Sequence, residues 1–306
     1  MNQPTAFLNG RFVPQSQLAV PVNDTGFVMG TTVAEQMRTF NGTVFHVQEH
    51  LDRLAQSLWL LGIDPGLTMD ELARVSCDLV ARNHRLLAPG DDLGVSVFVT
   101  PGPYASYAGS DSVRPLVCVH TYSLPFRLWA DKYRTGQSLA VSDVRQVPPS
   151  CWSPELKCRS RMHYFLADRQ VAARQGDARA LLLDQQGFVT EASTANVLVY
   201  RRGQGLLSPP REKVLRGISM AVVTELAAEL GIAFDCRDLR PEDVATADEV
   251  LLTSSPFCLL PVTRFDGQPI AAGQPGEVYE RLLAAWSTRV GLDIAAQAAR
   301  FADRTA

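Results

Sequence analysis

Pro148-Pro-Ser-Cys-Trp-Ser-Pro-Glu-Leu-Lys-Cys-Arg-Ser-Arg-Met-His-Tyr164 is the stretch around which the rest of this chain is arranged. It carries Lys157 between a strand-like segment, Leu139 to Val147, and a helical pattern that continues through Phe165, Val171 and Ala172. Of the 29 lysines and arginines only three are lysines, at positions 132, 157 and 213. A lysine amine is the side chain that condenses with an aldehyde to form a Schiff base, so each of the three is a candidate for that chemistry.

The length, 306 residues, suits two domains, each large enough to bury a core. With 46% hydrophobic and 20% charged residues and a net charge of −3, the composition is that of a soluble globular protein. It offers no electrostatic reason to hold nucleic acid or an anionic membrane. The start, Met-Asn-Gln-Pro-Thr-Ala-Phe-Leu-Asn-Gly, lacks the basic and apolar regions of a signal peptide, and no run approaches membrane-spanning length, so a cytoplasmic protein is expected. The six cysteines form no Cys-x-x-Cys pair, which argues against a zinc site or a disulfide framework.

Outward from Lys157, the pattern alternates strands and helices. Asn9-Gly10 and Asn41-Gly42 each sit between apolar segments, the strongest short hairpin signal. Leu51, Leu54, Leu58 and Leu61 recur at helical spacing with Arg53 one step off the stripe, and Thr68 to Leu87 repeats the pattern. Strands are expected at 92–100 and 114–122, then at 138–147, 179–184, 195–200, 206–208 and 248–253. Helices are expected at 161–175, 217–231, 241–245 and 275–290, and the tail 295–306 is helical in composition. This predicts an α+β chain with a small domain at 1–122, a connection at 123–136 and a large domain at 137–306.

Four features of the second block together describe a phosphate-bearing aromatic cofactor. Lys157 stands at the end of a strand. Gly187-Phe-Val-Thr-Glu-Ala-Ser-Thr-Ala-Asn196 offers Glu191, a carboxylate that would keep a pyridine nitrogen protonated. Leu215-Arg-Gly-Ile-Ser219 opens a helix whose free N–H groups, with the Ser219 hydroxyl, suit a phosphate. Leu252-Thr-Ser-Ser-Pro256 is a hydroxyl-rich turn, and Arg53 could complete the anion site. Taken singly, each is equally a surface charge, a turn-end acid, an ordinary helix start or a loop. Their order and spacing carry the argument.

That ordered set resembles the fold-type IV pyridoxal phosphate enzymes, the family of branched-chain and D-amino acid aminotransferases and aminodeoxychorismate lyases. The resemblance runs from Phe7 to Val290. It rests on Phe7-Leu-Asn-Gly-Arg-Phe-Val13, Phe27-Val-Met-Gly-Thr-Thr-Val-Ala-Glu35, His46-Val-Gln-Glu-His-Leu-Asp-Arg-Leu54, Val189-Thr-Glu-Ala-Ser-Thr-Ala-Asn196, Arg216-Gly-Ile-Ser219 and Ala247-Asp-Glu-Val-Leu-Leu-Thr-Ser-Ser255. It implies a two-domain fold, a small α/β domain plus a larger one with a β-barrel-like core flanked by helices. It implies pyridoxal 5'-phosphate joined to Lys157, with Glu191 at the ring nitrogen and Arg53, Gly217, Ile218, Ser219 and Ser255 around the phosphate. Lys132 and Lys213 fall off the family's lysine position and read as surface charges. The implied activity is transfer of an amino group from an α-amino acid, branched-chain or otherwise aliphatic, to a 2-oxo acid such as 2-oxoglutarate, in a homodimer. A D-amino acid or R-selective amine transaminase, an aminodeoxychorismate lyase and a non-catalytic cofactor binder are the alternatives.

Departures from the family pattern leave the substrate open. Met162 stands where branched-chain enzymes carry a tyrosine, which leaves Tyr164, Arg159 or Arg161 to contact the cofactor hydroxyl. The loop Thr100-Pro-Gly-Pro-Tyr-Ala-Ser-Tyr107 lacks the family's arginine motifs and offers Tyr104, Ser106 and Tyr107 as substrate contacts or as packing residues. Small Ala34 stands where relatives often have an aromatic, and Arg38 shares its face, either paired with a substrate carboxylate or turned to solvent on an edge strand. The insertion 148–155, with Trp152 between prolines, reads as a flap or as a packing tab at a subunit interface.

Overall fold

A computed structural model describes residues 3–108 and 114–304, which group into two compact units. Residues 109–113 of the loop after Thr100 and the last two residues of the 295–306 tail lie outside the described residues. The first unit holds Met1–Leu124 and Glu155–Ser160, and the second holds Pro125–Pro154 and Arg161–Thr305.

The first unit is built on hairpins. β1 (Thr5–Leu8) and β2 (Arg11–Pro14) are joined at Asn9 and Gly10, with φ of 47° and 87°. After a short helix α1 (Thr25–Val28), β3 (Val33–Phe40) and β4 (Thr43–Val44) turn at Asn41 and Gly42, with φ of 51° and 74°. Positive φ at both central residues is what a type I′ turn demands and what Asn-Gly tolerates. Helices α2 (Val47–Leu61) and α3 (Met69–Asn83) follow, then β5 (Leu93–Thr100), a short α4 (Ala105–Ala108) and β6 (Leu116–Ser123). The strands run β2-β1-β6-β5-β3-β4. Leu51, Leu54 and Leu58 of α2 and Leu72 and Leu79 of α3 bury against Val33, Met37, Val95, Val97 and Val119. Each such side chain contributes about 1.5–3 kcal/mol of transfer free energy. The α2 stripe ends one turn early, because Leu61 is 37% exposed at the helix end.

Segment 155–160, expected in the second block, lies with the first unit because its backbone pairs with β3. Residues 125–136, read as a connection, are structured members of the second unit: Phe126 and Trp129 are buried, and within α5 (Lys132–Thr135) the Tyr133 hydroxyl donates to the Phe257 carbonyl at 2.7 Å.

The second unit continues with β7 (Gln137–Val141), α6 (Met162–Gln175), β8 (Arg179–Leu183), β9 (Val189–Ala192), β10 (Ala195–Arg201), β11 (Gly205–Ser208), α7 (Ile218–Glu229), β12 (Phe234–Cys236) and α8 (Pro241–Ala245). It ends with β13 (Glu249–Ser254), β14 (Cys258–Phe265), β15 (Gln268–Pro269), α9 (Glu277–Val290) and α10 (Ile294–Arg300). Along β10-β13-β14-β7-β8-β9 the sheet returns to β10, since Ala195 and Asn196 pair with Ala192 and Glu191. The result is a barrel-like core, with α6 packing Ala167 and Val171 against Ala140, Ala180 and Leu182. β7 stops at Val141 instead of Val147, because Ser142 Oγ and the Asp143 N–H both turn to Gln170 Oε1, at 2.8 and 2.9 Å. β14 carries Pro261 in mid-strand, which hid it from a propensity reading.

Candidate active site

Lys157 lies on a short extended segment along the edge of β3. Ala34 N–H donates to the Lys157 carbonyl at 3.0 Å and Arg159 N–H to the Thr32 carbonyl at 2.8 Å, flanking an antiparallel bridge between Val33 and Cys158. Lys157 N–H donates to Ser57 Oγ on α2 at 3.2 Å, and Ser160 Oγ to the Gly30 carbonyl at 2.6 Å. The lysine backbone is therefore held at both polar groups, with its side chain half-buried. The other two lysines are committed to carboxylates. Lys132 pairs with Asp177, and Lys213 with Asp184 at 3.0 Å and Asp238 at 2.6 Å.

On the helical side of β3, the fully buried Glu35 accepts Arg53 Nε at 2.8 Å, Arg53 Nη2 at 2.7 Å and the His50 Nδ1–H at 2.8 Å. His50 and Arg53 stand three residues apart on α2 and so share one face. Burial alone would raise the Glu35 carboxyl. The charge and paired hydrogen bonds of Arg53, helped by His50, prevail and hold it far below the ordinary range. Burial lowers His50 despite its bond to Glu35, and the positive charges of Arg53 and Lys157 lower it further. Lys157 thus lies within electrostatic reach of the Arg53 cluster. Arg38 is 2% exposed, with its guanidinium 4.1 Å from the centre of the Phe40 ring and Nε donating to the Thr39 carbonyl at 3.2 Å. The solvent-facing alternative for Arg38 is corrected by that burial. Tyr104 and Tyr107 pack on each other at 5.3 Å, and the Tyr104 N–H donates to the Asn23 carbonyl at 2.8 Å.

In the second unit Glu191 is 5% exposed on β9. It accepts the Tyr164 hydroxyl at 2.8 Å, Asn196 Nδ2 at 3.4 Å and the Leu215 N–H. Burial raises the Tyr164 phenol well above its usual value and the neighbouring Glu191 charge adds to this, so the phenol stays a donor. Asn196 Nδ2 also donates to the Leu215 carbonyl at 2.9 Å, which ties the segment before α7 to β10. Gly217 precedes α7 with no side chain capping the helix, and a Cβ there would lie 2.0 Å from Asn196 Oδ1, so the position requires glycine. Ile218 and the buried Ser219 open the helix. Ser255 follows β13, and Thr253, paired with Asn196, has a buried hydroxyl without a partner among the described residues.

Free helix N–H groups, a buried serine and an orphaned threonine hydroxyl form a donor set that fits a phosphate. Glu191 beside them fits a protonated ring nitrogen. The residues of this unit therefore suit pyridoxal phosphate. The sequence reading missed the Glu35 and His50 partners of Arg53, and it named Thr253 within its hydroxyl-rich turn without assigning it a role. An acid inside an otherwise apolar strand was the available signal for Glu35.

Residues 32–265 match the family model described as amino-transferase class IV. The chain belongs to the class IV aminotransferase family. Over 279 residues it is 32% identical to a Methanocaldococcus jannaschii protein provisionally assigned as a branched-chain-amino-acid aminotransferase, covering 90% of this chain and 93% of that one. Over 272 residues it is 30% identical to the D-alanine aminotransferase of Bacillus licheniformis, covering 88% and 90%. A solved bacterial-type relative, the T.th. branched-chain amino acid aminotransferase with pyridoxamine 5'-phosphate, superposes with a TM-score of 0.83 at 25% identity, covering 94% and 95%. The Escherichia coli branched-chain enzyme superposes at 0.84 with 24% identity, covering 95% and 94%, and confirms the expected fold. No helix among the described residues is long and apolar enough to cross a membrane.

Proposed function

We propose that this class IV aminotransferase uses pyridoxal 5'-phosphate to move an amino group from an α-amino acid to a 2-oxo acid, 2-oxoglutarate serving as acceptor. Lys157 is the residue that joins the cofactor aldehyde. Glu191, oriented by Tyr164 and Asn196, faces the ring nitrogen, and Arg53, Gly217, Ile218, Ser219 and Ser255 receive the phosphate. When bound, the cofactor supplies the carbonyl that captures the substrate amine and the ring that takes up the electron pair left at the α-carbon. Lys157 Nζ removes the proton from the substrate Cα and later returns it to the carbon carrying the transferred nitrogen. Arg38, Tyr104 and Tyr107 remain candidates for the substrate carboxylate.

The observation that carries this reading is the setting of Lys157, pinned to β3 and α2 at its backbone and electrically coupled to the Arg53–Glu35–His50 cluster. A donor-by-acceptor panel with both enantiomers tests it. Parallel-line double-reciprocal plots are expected, because each half-reaction releases its product before the next substrate binds. Absence of amino transfer from every donor, or normal turnover by Lys157→Ala, overturns the proposal. The likeness to the D-alanine enzyme favours a second reading, a D-selective transaminase, and the enantiomer arms decide between the two. Pyruvate release from aminodeoxychorismate without an acceptor would assign a lyase instead. A homodimer acting in the cytoplasm accompanies the family resemblance, and sedimentation equilibrium tests the dimer.

A further inference from the structure

Away from α2 and α3, the register of the sheet places Ala34, Gln36 and Arg38 on one face with Ser96, His120 and Tyr122. None of these positions is acidic. Arg38 is its buried floor, while Gln36, His120 and Tyr122 are only half-buried. The Tyr122 ring lies across Gly94, where a Cβ would come within 2.1 Å of its Cζ, and Gly94 pairs with Arg38. The phenol is thereby brought to the Arg38 side of the face.

Arg159 adds a second cation at the rim. Its backbone pairs at Thr32 on the outer edge of β3, yet its Nη2 donates to Ser96 Oγ, on the strand beyond, at 3.1 Å. The side chain must therefore cross β3, and the residue of this face on its path is Ala34. A methyl group leaves that path open, whereas an aromatic ring would fill it. The Arg159 charge reaches its neighbours. Burial lowers His120, and Arg159 lowers it further. Burial raises Tyr122, and Arg159 and Arg38 oppose the rise. Antiparallel pairing puts residues 157 and 159 on the same face of their segment, so the rim cation stands beside the lysine. A guanidinium fork matches a carboxylate in a way that a lone hydroxyl does not, and Arg159 is exposed enough to receive one.

We propose that Arg159 is a specificity-determining residue that receives the side-chain carboxylate of a dicarboxylic substrate, so that an acidic amino donor and its 2-oxo acid are preferred over aliphatic pairs. The proposal rests on the aminotransferase reading above, and its test separates the two. In Arg159→Met, the ratio of kcat/KM for glutamate (the active enantiomer) to that for leucine or alanine should fall by about 100-fold, the scale of a lost hydrogen bond to a charged group. Arg159→Lys should recover part of that ratio, because charge persists without the fork. Glutarate has two carboxylates and no reactive group, and calorimetry should show it binding the wild-type holoprotein more tightly than Arg159→Met by a similar factor. An unchanged ratio, including equal loss on both substrate classes, or equal glutarate affinity in the two proteins, overturns the assignment. A wild-type protein that transfers no amino group defeats the functional reading alone, since glutarate binding still judges Arg159.

Discussion

The helical and open faces of the six-stranded sheet alternate along the same strands, and they treat charge in opposite ways. On the helical face one acid, Glu35, is sealed among Val33, Met37, Val95 and Val97 and is met by Arg53 and His50 from α2. On the open face, the strand positions beside Arg38 and Arg159 include no acid. A charge buried without a partner costs several kcal/mol, so the closed face must complete its own pairing within the chain. The open face can leave part of its complement to a ligand. One face holds the unit together, and the other selects what enters it.

The largest effect should come from breaking the closed pairing. Glu35→Ala strands Arg53 and should destabilise the protein by about 3–5 kcal/mol in urea denaturation. A loss below about 1 kcal/mol would break the comparison. Leu54→Ala, on the same face, removes a fully buried side chain and should cost about 2–5 kcal/mol. Gly94→Ala, on the open face, forces the Tyr122 ring to move, at about 1–3 kcal/mol, and should also alter the ratio of acidic to aliphatic turnover. Arg159→Met should change stability by no more than about 0.5 kcal/mol while changing specificity.

Acid should find the closed face first. Glu35 has a folded pKa below its ordinary 4.5, so its stabilisation is present above that pH and is lost as pH falls below it. His50 also titrates below its ordinary 6.5, so the unfolded chain takes up that proton first and stability declines as pH falls through 6.5. Both signs agree. Glu35→Gln should flatten the acid limb of the stability profile below pH 4.5, whereas Arg159→Met should leave that limb in place.

The legible parts of this chain were those whose local chemistry has few alternatives. Asn9-Gly10 and Asn41-Gly42 announce their hairpins because few other pairs accept two positive φ values. The stripe of α2 and the glycine before α7 were readable for similar reasons. Lys157 and Glu191 stood out through scarcity and order, and their local settings suit the chemistry proposed for them. What could not be read depended on pairing between distant segments. Residues 155–160 join the first unit only because Ala34 and Thr32 offer them an edge. Pro261 sits in a strand because Leu251 and its neighbours on β13 supply a partner. Arg53 read as an anion donor, while the buried acid that orients it lies 18 residues away and gives no local sign. The path of Arg159 over Ala34 was beyond reach for the same reason, although both residues had been marked as departures.

The central claim is that Lys157, alone among three lysines, carries the cofactor. Reduction of the pyridoxal phosphate-loaded protein with borohydride followed by peptide mass mapping tests it most directly. A single pyridoxyl-phosphate adduct on the peptide containing Lys157 is expected, with Lys132 and Lys213 unmodified in their carboxylate pairs. A stoichiometric adduct on either of those lysines, or none on Lys157, would contradict the account.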